Sequence, residues 1–268
     1  MSLWDLHLHT NMSYDGNSTV DEVCEAAIAR GLSGITITNH FDRDGILAGI
    51  YSAYDIKTDA KLIREAHEKY RGKLDVVFGV EIGQAHIDTE SFSSEIRDAG
   101  FEYILSSLHN LNGVPDYYYF DFTKLDLKQC RYWWERYLFE LTEVALALKA
   151  DTLGHITYPL RYIKRAGKTF DTEKYAPRFE ELFKILIKQN TALEVNVSGL
   201  RDSSVGMTLP DRDIVELYRQ CGGKLIAIGS DAHYSKDVGA YVEEQVLYWT
   251  KRGMDVLNTH EKIGKAGI

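Results

Sequence analysis

Cysteine is scarce and poorly placed for cross-linking. The 268-residue chain has three, Cys24, Cys130 and Cys221, far apart, odd in number and without a CxxC pair. That argues against a disulfide framework and fits a reducing, cytoplasmic setting. Cys24 and Cys221 fall in helix-type segments and read as small core residues. Basic charge is also short: 31 Lys and Arg stand against 40 Asp and Glu, a net charge of −9. A broad nucleic-acid surface needs a basic face to offset phosphate, so no nucleic-acid partner is expected, though a small basic pocket for one phosphate remains compatible. No run of ~18 apolar residues suits a membrane helix. The first residues carry neither the basic nor the apolar region of a signal peptide. Neither a membrane nor a secretory route is expected.

Several motifs are missing too. No GxGxxG follows a strand-type run, and HExxH and GxSxG do not occur. Gly167-Lys168-Thr169 imitates the end of a phosphate-binding Walker A loop. The first glycine of that loop would stand at Tyr162, and no strand precedes it. Low-complexity segments, linkers and composition breaks are absent as well, so residues 1–268 read as a single domain.

What is present is an alternation of strand-type and helix-type runs. Strands are expected over 3–9, 34–39, 74–82, 101–108, 151–156, 192–197 and 225–229. Helices are expected over 19–30, 55–70, 91–99, 125–149, 175–189 and 239–252, with one more opened by Pro210 and closed by Gly222-Gly223. Thr19 and Glu22 form a capping box for the first helix, and Gly31 stops it. Alternating units imply parallel strands with right-handed crossovers. Without a dinucleotide turn, the expected fold is an α/β protein, a single distorted (β/α)7 barrel of TIM-like type. Its active site would lie at the C-terminal ends of the strands.

Those strand ends carry the chemistry. The first ends in His7 and His9, the second in His40, the third in Glu81, the fourth in His109 and the fifth in His155. The sixth carries Glu194 and Asn196, and the seventh runs into Asp231 and His233. In a strand, residues i and i+2 share a face, so His7 and His9 can bind one metal from the barrel mouth. Asp231 and His233 repeat the spacing. Imidazoles and carboxylates suit Zn, Mn or Fe, and more than four of them suggest more than one ion. Of the other histidines, His67 lies in the charged run REAHEKY and reads as a solvated face, as does His260 in the tail. His86 follows Glu81 in a loop and reads as structural.

Four short motifs, HLHT at 7–10, TNH at 38–40, SLHN at 107–110 and GSDAH at 229–233, resemble those of the PHP (polymerase and histidinol phosphatase) family. The resemblance runs in order from Leu6 to His233, and the stand-alone domain with its tyrosine-rich insertion is most similar to the histidinol-phosphate phosphatase branch. It implies a barrel holding two to three divalent ions. His7, His9, Glu81 and Asp231 would hold the first. Glu81 would bridge to a second, completed by His109 and His155. His40 and His233 would hold a third, with Asp15 standing where many members place a histidine. It also implies hydrolysis of a small phosphate monoester, L-histidinol phosphate before nucleotides. A metal-bridging hydroxide would attack, with Glu81 and Asp231 as catalytic groups. An amidohydrolase on the same architecture, or a metal-binding protein without turnover, fits less of the pattern.

Substrate contacts are expected from loops on the same face. Arg161 and Arg201 could grip the phosphate with a fork of donors, and Ser198 could assist. Tyr117, with Tyr118 and Tyr119, could form a lid. Glu194, Asp116 and Asp121 are the acids that could receive the amine and imidazole of histidinol.

Overall fold

The structure, a computed structural model, describes residues 2–87 and 96–257. Nine strands form one sheet in which every pairing is parallel: β1 (Trp4–Leu8), β2 (Gly34–Ile37), β3 (His40–Asp42), β4 (Asp75–Gly83), β5 (Tyr103–Ser107), β6 (Thr152–Leu153), β7 (Ala192–Asn196), β8 (Leu225–Gly229) and β9 (Asp255–Val256). The order is β1-β2-β4-β5-β6-β7-β8-β9, with β3 also on β4. Both β2 and β3 pair with β4, so they are one strand interrupted at Thr38-Asn39. β9 is a two-residue strand that pairs with Leu225 and Ile226 at the start of β8. Counted that way, seven strands build the distorted TIM-like barrel expected from the sequence. The ring joins past the end of β8, where Leu8 bridges Ala232 and the Asp231 N–H donates to the His7 carbonyl at 2.7 Å.

The helices are α1 (Val20–Ala29), α2 (Arg43–Leu47), α3 (Ile56–Lys69), α4 (Leu127–Ala147), α5 (Tyr158–Arg165), α6 (Ala176–Gln189), α7 (Arg212–Gln220) and α8 (Val242–Thr250). Local chemistry sets their starts. Thr19 and Glu22 make the expected capping box on α1, and Asp126 with Gln129 makes another on α4. Pro210 is not the first residue of its helix: Asp211 caps α7 through the Ile214 N–H, and the proline lies before it. Of the helix expected over 91–99, only 96–99 fall among the described residues and are helical. His260 lies outside the described residues.

A bulge in β1 separates the barrel's two halves. Asp5 pairs with Ile35 and Leu8 with Ile37, so three steps on β1 meet two on β2. An extra residue re-aims the side chains beyond it. Trp4 and Leu6 join Val77, Tyr103, Leu105, Ala192 and Ala227 in an apolar plug. Beyond the bulge His7 and His9 turn toward Glu81, while Leu8 packs outward among residues of α1, β2 and α3. The plug closes one end of the barrel, and polar groups fill the other.

Candidate metal centre

Glu81, fully buried near the end of β4, is the middle of the cluster. Its Oε1 lies 2.9 Å from His155 Nε2 and 3.1 Å from His109 Nε2. Its Oε2 lies 3.1 Å from His7 Nε2, 3.1 Å from His40 Nδ1 and 3.5 Å from His9 Nε2. Asp231 Oδ1 is 3.5 Å from His9 Nε2 and 3.8 Å from His7 Nε2. Asp15 Oδ2 joins from the rim, 3.0 Å from His233 Nε2 and 3.5 Å from His40 Nε2. The nine residues singled out as donors, His7, His9, Asp15, His40, Glu81, His109, His155, Asp231 and His233, thus lie together at the strand ends. Donor atoms in four overlapping groups lie within 4.8 Å of one another: His7, His9 and Asp231; His7, Glu81 and His155; His9, Asp15, His40 and His233; and His40, Asp42 and His109.

The chain is folded locally to aim these groups. Asn39, in the gap between β2 and β3, accepts from the Thr10 N–H at 2.8 Å and the Ser13 hydroxyl at 3.0 Å. Its amide donates to buried Asp59 at 2.7 Å. That stitches the turn after His9 to the strand carrying His40, whose N–H donates to the same Ser13 hydroxyl. Asp231 holds a left-handed φ of 53°, fixed by its N–H on His7. Ring stacks add packing: His9 sits 4.3 Å from both His40 and His233, and Tyr14 stacks on His40 at 5.0 Å.

Two carboxylates stand behind the imidazoles. Glu194 Oε1 accepts from His7 Nδ1 at 2.7 Å, and its Oε2 accepts the His155 N–H at 2.6 Å. Asp42 Oδ1 lies 3.1 Å from His109 Nδ1, and its Oδ2 accepts from Tyr14 Oη at 3.1 Å. Each leaves the Nε2 of its histidine facing Glu81, the arrangement in which an outer carboxylate orients a metal-binding imidazole. Asp42 is absent from the reading of the sequence, yet His40-Phe41-Asp42 repeats the i, i+2 spacing that drew attention to His7 and His9.

The charges are strongly coupled. Burial works to raise Glu81, but the charges of His7, His40 and His109 prevail and hold it well below the ordinary carboxylate value. Asp231 is depressed likewise, against its burial, chiefly by His7, His9 and His233. Burial, with His233 and His40 alongside, pushes His9 down to about 3. His40 goes up to about 9, because Asp15 and Glu81 outweigh its burial. Carboxylate oxygens and imidazole nitrogens that converge within 4.8 Å are the donors divalent ions take, so the donor set fits them.

A cavity of about 620 Å³ opens over the cluster, walled by Tyr14, Tyr51, Asp116, Tyr118, Tyr119, Tyr158 and Arg161 among others. The substrate contacts expected from the sequence divide. Arg161 lies on α5 rather than in a loop, because Tyr158-Pro159 starts a helix that the sequence reading does not contain. Its Nη2 donates to Asp231 Oδ2 at 3.2 Å and Ser198 Oγ at 2.5 Å, and its buried Nε has no hydrogen-bond partner among the described residues. Ser198 is not on the wall; it links Arg161 to Asn196 Oδ1. Tyr117 is no lid: it is fully buried, with its hydroxyl on the Trp133 carbonyl at 3.1 Å, while Tyr118 and Tyr119 line the cavity. Glu194 is committed to His7 and His155, and Asp121 is outside the cavity, capping Thr123. His86 pairs with Glu140 at 3.3 Å away from this cavity, and His67 is half-buried against the Val76 carbonyl rather than solvated. Lys168 of the false Walker motif ties down the Phe122 and Thr123 carbonyls.

Arg201 is also absent from the wall. It donates to the Ser230 carbonyl at 2.5 Å and the Asp231 carbonyl at 3.1 Å, clamping the turn that carries Asp231. Arg201→Ala is therefore expected to cost about 1.5–3 kcal/mol of stability, the range for hydrogen bonds from a charged donor. Chemical denaturation measures it. A stable variant altered only in KM would return Arg201 to a substrate role.

A family model for the PHP domain matches residues 5–198. A "probable histidinol-phosphatase" of Thermotoga maritima is 31% identical over 243 residues, covering 90% of this chain and 88% of that protein. One of the same description from Clostridium acetobutylicum is 30% identical, covering 88% and 89%. The crystal structure of histidinol phosphate phosphatase from Lactococcus lactis, complexed with Zn, L-histidinol and phosphate, superposes with a TM-score of 0.80 at 20% identity, covering 96% of this chain and 95% of that one. Motifs, architecture and these matches agree: the chain belongs to the PHP domain family.

Proposed function

We propose that this protein is a metal-dependent phosphomonoesterase that hydrolyses L-histidinol phosphate to L-histidinol and phosphate. The observation that carries the reading is the basin itself: donors from successive strand ends meet around Glu81 on the lining of an open cavity that also presents Arg161. It agrees with what the Thermotoga and Clostridium relatives are named for and with the ligands of the Lactococcus structure.

Two to three ions, drawn from Zn, Mn and Fe, would be held by His7, His9, Glu81 and Asp231, by Glu81, His109 and His155, and by Asp15, His40 and His233. When bound, they supply a water acidic enough to ionise near neutral pH and positive charge against the phosphoryl oxygens. The chain's own groups do the rest. Glu81 offers one oxygen to each side of the cluster and spaces the two halves. Asp231 has Oδ2 held by Arg161 and Asn196, which leaves Oδ1 directed at His7 and His9. Arg161 lines the cavity while its Nη2 holds Asp231, which sets a guanidinium beside the cluster for a phosphoryl oxygen.

Phosphate release by metal-loaded protein tests this directly. L-histidinol phosphate should be turned over with kcat/KM above ~10⁴ M⁻¹s⁻¹, well clear of nucleotides, sugar phosphates and p-nitrophenyl phosphate. Weak activity spread evenly over that panel would discard histidinol phosphate as the substrate.

A further inference from the structure

We infer that Asp116 determines substrate specificity by receiving the ammonium group of an amino-alcohol phosphate ester. The inference rests on the phosphatase reading above and extends it from the phosphate to the other end of the substrate. Four carboxylates line the cavity: Asp15, Glu81, Asp116 and Asp231. Three of them belong to the donor cluster. Asp116 is the one left over.

Its geometry is that of a prepared acceptor. Oδ1 takes the Tyr118 N–H at 2.7 Å and the Tyr158 hydroxyl at 3.1 Å, and Tyr158 is held in turn by the Tyr162 hydroxyl at 2.7 Å. No hydrogen bond to Oδ2, and no pairing of Asp116 with a Lys or Arg, is found among the described residues. Burial raises its carboxyl above the ordinary value, so the ionised form is short of solvation. The His109 charge offsets part of that burial, but a carboxylate fixed through one oxygen with no Lys or Arg against it still gains from a cation. The neighbouring wall is phenolic, with Tyr51, Tyr118 and Tyr119, and such rings accept a partly desolvated ammonium on their faces.

The spacing suits one kind of ester. The Tyr158 ring lies 5.2 Å from both His109 and His155, and its hydroxyl reaches Asp116. Asp116 is thus set off from the cluster by the length of one phenol. In histidinol phosphate the amine sits on the carbon next to the one bearing the ester oxygen, a comparably short separation. Arg161 serves the anionic end of the cavity and Asp116 the cationic end. A sugar phosphate would leave Asp116 unpaired, which discriminates against it.

The test compares kcat/KM for L-histidinol phosphate with kcat/KM for glycerol phosphate, in wild type and in Asp116→Asn. The ratio should fall about tenfold or more in Asp116→Asn, with the loss in KM rather than kcat, as expected for one charge-assisted contact. Asp116→Glu should recover part of it. An unchanged ratio, or equal losses on both esters, overturns the assignment. A wild type with no preference for histidinol phosphate would instead overturn the phosphatase reading of that substrate. Asp116 is then judged on O-phosphoethanolamine against glycerol phosphate: a preference lost in Asp116→Asn supports the role, and one that persists removes it.

Discussion

Glu81→Ala will lose turnover by on the order of 10³-fold, the scale that follows removal of a single preorganised group at a reacting centre. The expectation comes from what Glu81 touches. One oxygen meets His109 and His155, and the other meets His7, His9 and His40. Asp42 touches the two sets at His109 and His40 alone, so the loss of Glu81 separates the positions of the ions as well as removing a ligand. The fold should survive. β4 is held by backbone pairing to β2, β3 and β5, which a side-chain truncation leaves intact. Circular dichroism should therefore stay native while bound metal, counted by elemental analysis, drops by at least one equivalent. Glu81→Gln separates size from charge: it keeps the volume and should be nearly as inactive. A near-normal rate in both variants would sink the placement of the site.

Much of this is legible in the sequence, and the reasons are local. Parallel-sheet strands are short, apolar and bounded by turn residues, so 225–229 could be bounded to the residue. The polar groups at their ends stand out because such strands otherwise have little use for them. The capping box of Thr19 is likewise a matter of four adjacent residues. What escaped depends on distant contacts. Whether Glu194 faces substrate or His7 is decided by β1 lying beside β8, on the other side of the ring closure. Arg201 and Tyr117 were on the right face but turned away from it, toward the Ser230 carbonyl and the Trp133 carbonyl. Helix α5 has no sequence signal because its eight residues follow a histidine loop and five of them are aromatic or basic, so no long apolar period announces it. The bulge in β1 has no signature in Asp5-Leu6-His7-Leu8, since a simple alternation would also place His7 with His9.

Glu194→Gln will weaken metal binding by about 10–100-fold, the usual cost of disturbing a group that orients a metal-binding histidine. The substitution is close to isosteric, but it cannot satisfy its surroundings. Both oxygens of Glu194 face donors: His7 Nδ1 at 2.7 Å and the backbone N–H of His155 at 2.6 Å. Glutamine has one oxygen and one NH₂, so one of the two contacts becomes donor against donor. If the amide nitrogen turns to His155, it meets an N–H that has no other arrangement, and the strand-end loop carrying His155 must shift. If it turns to His7, the imidazole can relieve the clash only by moving its proton to Nε2, the nitrogen directed at Glu81 and His9. That nitrogen would then be closed to a metal. Both routes lead to weaker binding and neither alters the lining of the cavity, where Glu194 has no part. Competition against a chromophoric chelator measures the affinity, and activity at limiting zinc should fall in parallel. Excess zinc should restore part of the activity, since the donors themselves remain. Unchanged affinity would mean that His7 is held by the strand alone, and that the buried carboxylate behind it serves only the backbone of His155.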